Sequence, residues 1–124
     1  MPRSAIMRPT VLMVDDHDGF RTRARAMLEA HGFDVVGEAS DGRSAVVAAE
    51  RLRPDVALVD IGLPDLDGFA VAAAIRRAGT AHSIVLTSGR EAADFGGRVA
   101  GSAADGFIPK GELSGDSLLA LLRP

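Results

Sequence analysis

Five polar residues lie at the ends of short apolar runs that are far apart along the chain, and together they could carry out one kind of chemistry. They are Asp15, Asp16, Asp60, Thr87 and Lys110. Three carboxylates brought together repel each other, so either a cation binds between them or one of them takes up a proton. Carboxylate oxygens favour a hard ion such as Mg²⁺. We therefore expect Mg²⁺ to be the cofactor.

A carboxylate, a divalent ion, an ammonium group and a hydroxyl group together suit the transfer of a phosphoryl group. The metal ion and Lys110 would neutralise charge on the phosphoryl oxygens, and the hydroxyl of Thr87 would orient one of them. Asp60 would act as the nucleophile and form an aspartyl phosphate. The sequence thus predicts catalytic roles for Asp60, Thr87 and Lys110.

Each of these residues also has a simpler explanation when it is taken alone. An aspartate after a strand is usually a turn or capping residue, which is our interpretation of Asp65 and Asp67. Thr87 alone would be an ordinary strand residue, and Lys110 a solvated lysine. We expect the three histidines to be surface or capping residues, with His17 a weak candidate for a neighbour of the site. The chemical interpretation is preferred because four strand ends agree.

The polar residues need a scaffold, which is predicted by short apolar runs that alternate with amphipathic stretches. Strands are predicted at residues 11–14, 33–38, 56–59, 84–87 and, more weakly, 107–108. Helices are predicted at residues 19–31, 42–52, 68–78 and about 114–122. This alternation predicts an α/β fold, with a parallel sheet that carries helices on both faces. The carboxyl ends of its strands meet at one edge, where such folds bind ligands.

Two of the predicted helices carry more specific expectations. The stretch from Gly89 to Ala104 should hold the fourth helix, yet it contains three further glycines. Each glycine costs a helix interior about 1 kcal/mol relative to alanine, so we expect a short, frayed or mobile helix there. In the last helix, the spacing predicts that Leu118, Leu119 and Leu122 face inward.

The composition indicates one globular domain and argues against several other classes of protein. The chain has 124 residues, of which 47% are apolar and 25% charged. We assign residues 10–124 to the domain and residues 1–9 to a short disordered lead-in. The absence of cysteine excludes disulfides and fits a cytoplasmic location. A net charge of −3 without Tyr or Trp argues against nucleic-acid binding. The longest apolar run, residues 69–75, is too short to cross a membrane.

The polar residues also belong to five short motifs whose order and spacing are more specific than any one of them. The motifs are Val-Asp-Asp at 14–16, Leu-Val-Asp at 58–60, Leu-Pro-Asp-Leu-Asp-Gly at 63–68, Leu-Thr-Ser at 86–88 and Gly-Phe-Ile-Pro-Lys at 106–110. In this respect the chain resembles the receiver domain of two-component response regulators. The resemblance extends from about Thr10 to Leu122.

The resemblance implies a flavodoxin-like doubly wound (βα)₅ fold with a five-stranded parallel sheet in the order 2-1-3-4-5. It implies that Asp60 is the phosphoryl acceptor and that Thr87 and Phe107 are the switch residues, with Lys110 beside the phosphoryl group. The metal ligands would be Asp15 through a water molecule, Asp16, Asp60 and the backbone carbonyl of Gly62.

The resemblance further implies what this protein would interact with. A histidine kinase or phosphotransfer protein that carries phosphohistidine would be the donor. Phosphorylation would change partner binding on the face formed by the fourth helix, the fifth strand and the fifth helix. The partner would be a downstream protein or the output domain of a longer regulator, and a homodimer is one form that the resemblance allows. The chain itself would not bind nucleic acid or membranes.

One departure from the family pattern and one further feature concern residues beside the site. Gly111 follows Lys110 where the family often has proline after a cis bond, so the conformation of that bond stays open. Gly62 and Gly89 place no side chains around the site, so we expect easy water access and rapid loss of the phosphoryl group.

Two alternatives to a phosphorylated switch remain. One is a Mg²⁺-dependent phosphotransferase that forms an aspartyl phosphate, although the chain has no insertion large enough to cover a substrate. The other is an interaction module that works without phosphorylation, which the intact set of polar residues disfavours. As a switch, the protein would be an enzyme only for its own phosphorylation and dephosphorylation.

Overall fold

The computed structural model describes residues 8–124 of the chain, which form a five-stranded parallel sheet with helices on both faces. The strands are β1 (Thr10–Val14), β2 (Asp34–Ala39), β3 (Val56–Asp60), β4 (Ser83–Ser88) and β5 (Gly106–Pro109). The α-helices are α1 (Asp18–Ala30), α2 (Gly42–Leu52), α3 (Gly68–Ala78) and α4 (Gly115–Leu119). The sheet order is β2-β1-β3-β4-β5. The predicted α/β fold and the strand order are thus confirmed.

The sheet is buried because its central strands present apolar side chains to both faces. Alternate residues of β1, such as Leu12 and Val14, pack in a cluster that includes α2 and α3. The residues between them, such as Val11 and Met13, pack in a second cluster with α1 and α4. The period of two along a strand therefore divides the core into one layer on each side of the sheet.

Side-chain caps fix where the helices after β2 and β3 begin. Asp41 accepts a hydrogen bond from the backbone N–H of Ser44 at the start of α2. Asp67 does the same for Ala70 at the start of α3, at 2.8 Å, as expected for a capping residue. Asp65 is more than a turn residue, because its carboxylate accepts hydrogen bonds from the backbone of Gly42, at 2.7 Å, and of the next residue. It thereby ties the loop after β3 to α2.

The fourth and last helices differ from their sequence-based expectations. Between β4 and β5 the structure has only a four-residue 3₁₀ helix, Ala92–Phe95, followed by turns. The glycines after Phe95 explain the early end, and Gly96 has a φ of 60°, which favours glycine. The last helix ends at Leu119, whose side chain is 46% exposed, so its predicted inward position was wrong. Leu118 is fully buried as expected.

The ends of the described chain add two observations. Arg8, which the sequence prediction placed in the lead-in, donates hydrogen bonds to the backbone carbonyls of Glu29 and Gly32. Residues 1–7 of that predicted lead-in lie outside the described residues, whereas Arg8 and Pro9 lie within them.

The described residues also settle the conformation of one peptide bond beside the site. Among residues 8–124 no peptide bond is cis, so the bond between Lys110 and Gly111 is trans. No helix within this part of the chain is long and apolar enough to span a bilayer.

Candidate functional site

The carboxyl ends of the strands bring the predicted residues together at one edge of the sheet. Asp60 ends β3, where it pairs in register with Thr87 of β4. Thr87 pairs in turn with Ile108 of β5, two residues before Lys110. Asp15 directly follows β1, the strand on the other side of β3. Residues from four strand ends therefore meet at a single place, as the sequence predicts.

Lys110 links two buried carboxylates at the centre of this edge. Asp15 and Asp60 are only 1% and 4% exposed. The Nζ atom of Lys110 lies 2.6 Å from Oδ2 of Asp15 and 3.7 Å from Oδ2 of Asp60. The same ammonium group lies 4.5 Å above the centre of the Phe20 ring. Its position is therefore fixed both by the two charges and by an aromatic face.

The environment of Asp60 favours its protonated form more than water would. Burial raises the pKa of Asp60, and the negative charge of Asp15 raises it further. The charge of Lys110 and a 3.4 Å hydrogen bond from the backbone N–H of Gly62 act in the opposite direction, but the net pKa remains above its ordinary value. Additional positive charge at this place would therefore stabilise the ionised carboxylate.

The cluster of acidic side chains provides a place for that charge. Ligand atoms of Asp15, Asp16, His17 and Asp60 all lie within 4.8 Å of one another. Oδ2 of Asp15 is buried and has an ion pair with Lys110 but no hydrogen bond. Such an oxygen can bind a cation, or a water molecule on one, without losing a hydrogen bond. The carboxylate oxygens of this set therefore fit a hard divalent ion such as Mg²⁺.

Thr87 and Phe107, the expected switch residues, both have partners on the side of β5. The hydroxyl of Thr87 is buried and donates a 2.7 Å hydrogen bond to the backbone carbonyl of Ile108. The half-buried ring of Phe107 meets Phe95 edge to face, with ring centres 6.2 Å apart. Phe95 in turn meets Phe69 of α3 in the same manner, at 5.9 Å. The three rings form a row that connects β5, the 3₁₀ helix and the start of α3.

Two glycines beside Asp60 have opposite surroundings. A β-carbon on Gly62 would meet no atom within 4 Å, so this side of the site is open. A β-carbon on Gly68 would lie 2.5 Å from the backbone oxygen of Asp60, which is too close. Gly68 thus lets the start of α3 approach the end of β3. The close contact explains why the motif at residues 63–68 ends in glycine, since any larger residue would collide with the backbone of Asp60.

An arginine pair missed by the sequence analysis supports the loop after β1. Arg21 donates to the backbone carbonyl of Asp15, and its Nε lies 2.8 Å from a carboxylate oxygen of Glu38. Arg25 binds the other oxygen of Glu38 at 2.6 Å. Burial alone raises the pKa of Glu38, but the hydrogen bonds from Arg25 and Arg21 outweigh it and lower the pKa overall. The sequence could have indicated this contact, because Arg21 and Arg25 are one helical turn apart on α1 and Glu38 lies on the neighbouring strand β2.

His17 was expected to be a surface or capping residue and a weak candidate for a neighbour of the site. It is the N-cap residue of α1, and it also lies in the acidic cluster. Its Nδ1 atom lies 3.0 Å from Oδ1 of Asp15 and 3.2 Å from Oδ1 of Asp16. Its side chain is 66% exposed. The signal for this was present, since His17 directly follows two of the predicted ligands.

Comparison with known proteins gives a consistent result for nearly the whole chain. The family model of the response regulator receiver domain matches residues 11–123. A protein-glutamate methylesterase/protein-glutamine glutaminase of Alkalilimnicola ehrlichii is 42% identical over an alignment of 118 positions, which covers 89% of this chain and 29% of that protein. The DNA-binding transcriptional activator EvgA of Escherichia coli is 28% identical over 82% of this chain and 50% of its own length.

Solved structures agree with this match. The signal receiver domain of NarL from Mycobacterium tuberculosis superposes with a TM-score of 0.82 at 31% identity, and 92% of this chain and 95% of that one are covered. The response regulator domain of Thermotoga maritima CheB superposes with a TM-score of 0.78 at 29% identity, and the match covers 91% of this chain and 92% of that one. The chain thus matches these domains over almost their full length, but spans about half or less of the curated relatives.

Proposed function

The chain belongs to the response regulator receiver domain family, and we propose that it is a signalling switch that accepts a phosphoryl group on Asp60. The observation that carries the proposal is the buried arrangement in which Lys110 lies between Asp15 and Asp60, next to an acidic cluster suited to Mg²⁺. A two-component histidine kinase or phosphotransfer protein would bring the phosphoryl group as phosphohistidine.

The residues of the site suit the transfer step. A carboxylate oxygen of Asp60 attacks phosphorus, the bond between phosphorus and the donor imidazole breaks, and the imidazole takes up a proton. Lys110 stabilises the charge on the transferring group. Asp15, Asp16, Asp60 and the backbone carbonyl of Gly62 would hold Mg²⁺, with Asp15 acting through water. When bound, Mg²⁺ supplies further positive charge to the phosphoryl oxygens.

The switch would work through two contacts on the side of β5. A phosphoryl group adds about −1.5 to −2 charges at pH 7 and three strong acceptor oxygens. The hydroxyl of Thr87 would leave the carbonyl of Ile108 and donate to one of these oxygens. Phe107 would move into the space that Thr87 leaves, and its contact with Phe95 would be lost. Phosphorylation would thereby shift the population of two conformations, as in other modification switches.

The surface that changes would be the binding face for the next partner. In this chain it consists of the segment from residue 89 to 104, β5 and α4, with the 3₁₀ helix in place of a long fourth helix. The partner would be a downstream protein or an output domain of a longer regulator, which is consistent with curated relatives of which this chain covers about half. The chain would catalyse only its own phosphorylation and dephosphorylation, in a cytoplasmic setting.

Intact-mass spectrometry after incubation with Mg²⁺ and acetyl phosphate tests the proposal. We expect one phosphoryl adduct on the wild-type chain and none on Asp60→Ala. Asp34→Asn is a matched control, since Asp34 is an exposed aspartate at the start of β2, and it should be phosphorylated like the wild type. Absence of any adduct on the wild type would favour an interaction module that works without phosphorylation.

A further inference from the structure

We propose that His17 is a metal ligand that makes the acidic cluster bind a first-row transition ion in preference to Mg²⁺. The inference rests on the metal site of the proposed function and adds the residue that decides which ion occupies it. Among the side chains that meet in this cluster, His17 is the one that offers nitrogen rather than oxygen.

The distances around His17 match those between ligands of a single ion. Metal–ligand bonds to imidazole nitrogen and carboxylate oxygen are about 2.1 Å long, so adjacent ligands at a right angle are about 3.0 Å apart. Nδ1 of His17 lies 3.0 Å from Oδ1 of Asp15 and 3.2 Å from Oδ1 of Asp16. Nδ1 of His17 and Oδ1 of Asp16 therefore already have nearly the spacing of neighbouring ligands on one ion.

The chemistry of the donor atoms gives the direction of the preference. Mg²⁺ prefers oxygen ligands and retains several waters, so an imidazole adds little to its binding. Imidazole suits Zn²⁺, Ni²⁺ and Cu²⁺, and the affinity of a mixed nitrogen and oxygen site rises from Mn²⁺ to Cu²⁺. One imidazole among carboxylates therefore raises affinity for such ions selectively.

Binding by His17 requires that Nδ1 present its lone pair to the ion. Nδ1 lies within hydrogen-bond distance of Asp15, and the tautomer of the ring decides which nitrogen carries the hydrogen. The neutral tautomer with its hydrogen on Nε2 leaves the lone pair of Nδ1 available for the bond to the metal. The ring is 66% exposed, so water reaches it directly.

A simple ion pair between His17 and Asp15 would produce the same distances, and a matched control separates the two explanations. His31 also pairs with an aspartate, since its Nε2 lies 3.1 Å from Oδ1 of Asp116. That pair lies outside the acidic cluster. His31→Gln removes a histidine–aspartate pair without removing an imidazole from the cluster, whereas His17→Gln does both.

Isothermal titration calorimetry of the untagged chain with Ni²⁺ and, separately, with Mg²⁺ tests the proposal. We expect the wild type to bind Ni²⁺ more tightly than Mg²⁺. His17→Gln should weaken Ni²⁺ binding by about tenfold or more, the loss that even an outer-shell partner of a ligand can cause. Its Mg²⁺ affinity should change less than about twofold. His31→Gln should bind both ions like the wild type.

Three outcomes would overturn the inference: wild-type protein that prefers Mg²⁺, unchanged Ni²⁺ affinity in His17→Gln, or an equal loss for both ions. The visible absorption spectrum of the Co²⁺-loaded chain provides a second readout, since it should change in His17→Gln if nitrogen is a ligand. The phosphorylation assay with Mg²⁺ and acetyl phosphate stands apart from these outcomes. Its failure in the wild type would contradict the proposed function, whereas an unaltered Ni²⁺ affinity would contradict only the role of His17.

Discussion

At the scale of single residues, the site depends on how two buried carboxylates share one ammonium group. Lys110 is close to both, but it lies nearer to Asp15, at 2.6 Å, than to Asp60, at 3.7 Å. Asp60 is left with a raised pKa because burial and the charge of Asp15 outweigh the effect of Lys110. The proposed acceptor, Asp60, is thus the carboxylate with the greater need for a cation, which would explain how a divalent ion could assist the proposed reaction.

Replacing Asp60 with asparagine should stabilise the fold in the absence of divalent ions. Because the folded protein raises the pKa of Asp60, it binds more protons than the unfolded chain, and stability falls as pH rises through that window. Asp60→Asn removes this loss, so its free energy of unfolding should exceed that of the wild type above the folded pKa. Urea unfolding with chelator from about pH 4 to pH 8 measures the difference. A variant less stable than the wild type at neutral pH would contradict the role given to burial and Asp15.

Replacing Lys110 with methionine should lower the free energy of unfolding in the absence of divalent ions. Breaking a buried ion pair costs about 3–5 kcal/mol, and we expect about 2 kcal/mol here because the Lys110 side chain is 18% exposed. Saturating Mg²⁺ should recover part of this loss, since it supplies charge to the same carboxylates. Arg77→Met, at an exposed position of α3, is the control and should change stability by less than about 0.5 kcal/mol. Equal effects of the two substitutions on urea unfolding would show that Lys110 does not hold the carboxylates.

The open space beside Gly62 leads to a kinetic prediction. Since a β-carbon there meets no atom within 4 Å, Gly62→Asn should fold normally and place its amide over the water-accessible side of the site. We expect it to slow the loss of the phosphoryl group by several-fold, because it hinders the attacking water. The rate is measured as phosphate release from the phosphorylated protein after the donor is removed. An unchanged or faster rate of phosphate release would contradict the hypothesis that the absence of a side chain at Gly62 shortens the lifetime of the phosphorylated protein.

At the scale of elements, the segment between β4 and β5 is the least regular part of the described chain. Three of its glycines predict a weak helix, and only the 3₁₀ helix Ala92–Phe95 is present. What holds the segment could not be predicted from propensities, because its contacts come from distant parts of the chain. Phe95 packs against Phe69 and Phe107, while Arg98 lies 4.3 Å above the Phe69 ring and pairs with Asp67 at 3.0 Å.

Removing the ring of Phe95 should loosen this segment and leave the sheet intact. Each edge-to-face contact is worth about 0.5–1.5 kcal/mol beyond burial, so Phe95→Ala should cost about 1–3 kcal/mol in stability. Hydrogen exchange should become faster in residues 89–104 and remain slow in β1 and β3. Val99→Ala, a half-buried position in the same segment, is the control and should have a smaller effect. Equal exchange in wild type and Phe95→Ala would show that the aromatic row does not anchor the segment.

At the scale of the whole molecule, the sequence predicted the topology and the meeting place of the site residues better than their contacts. Alternation of apolar runs with amphipathic stretches defines the sheet, and parallel strands must end at one edge, so Asp15, Asp60, Thr87 and Lys110 could be grouped without coordinates. The family resemblance supplied the strand order. Adjacency in sequence indicated that His17 lies near Asp15 and Asp16, but the contacts of its imidazole depend on side-chain rotamers and packing, as does the hydrogen bond from Thr87 to Ile108, and no spacing rule specifies these.

The central claim is that Asp60 carries the phosphoryl group, and peptide mapping after chemical reduction tests it most directly. The full chain is phosphorylated with acetyl phosphate and Mg²⁺, and borohydride then converts any aspartyl phosphate into homoserine, which digestion and tandem mass spectrometry locate. Our account predicts homoserine in place of Asp60 and aspartate retained at positions 15 and 16. Homoserine at either of those two positions, or at none of the aspartates of the chain, would contradict it.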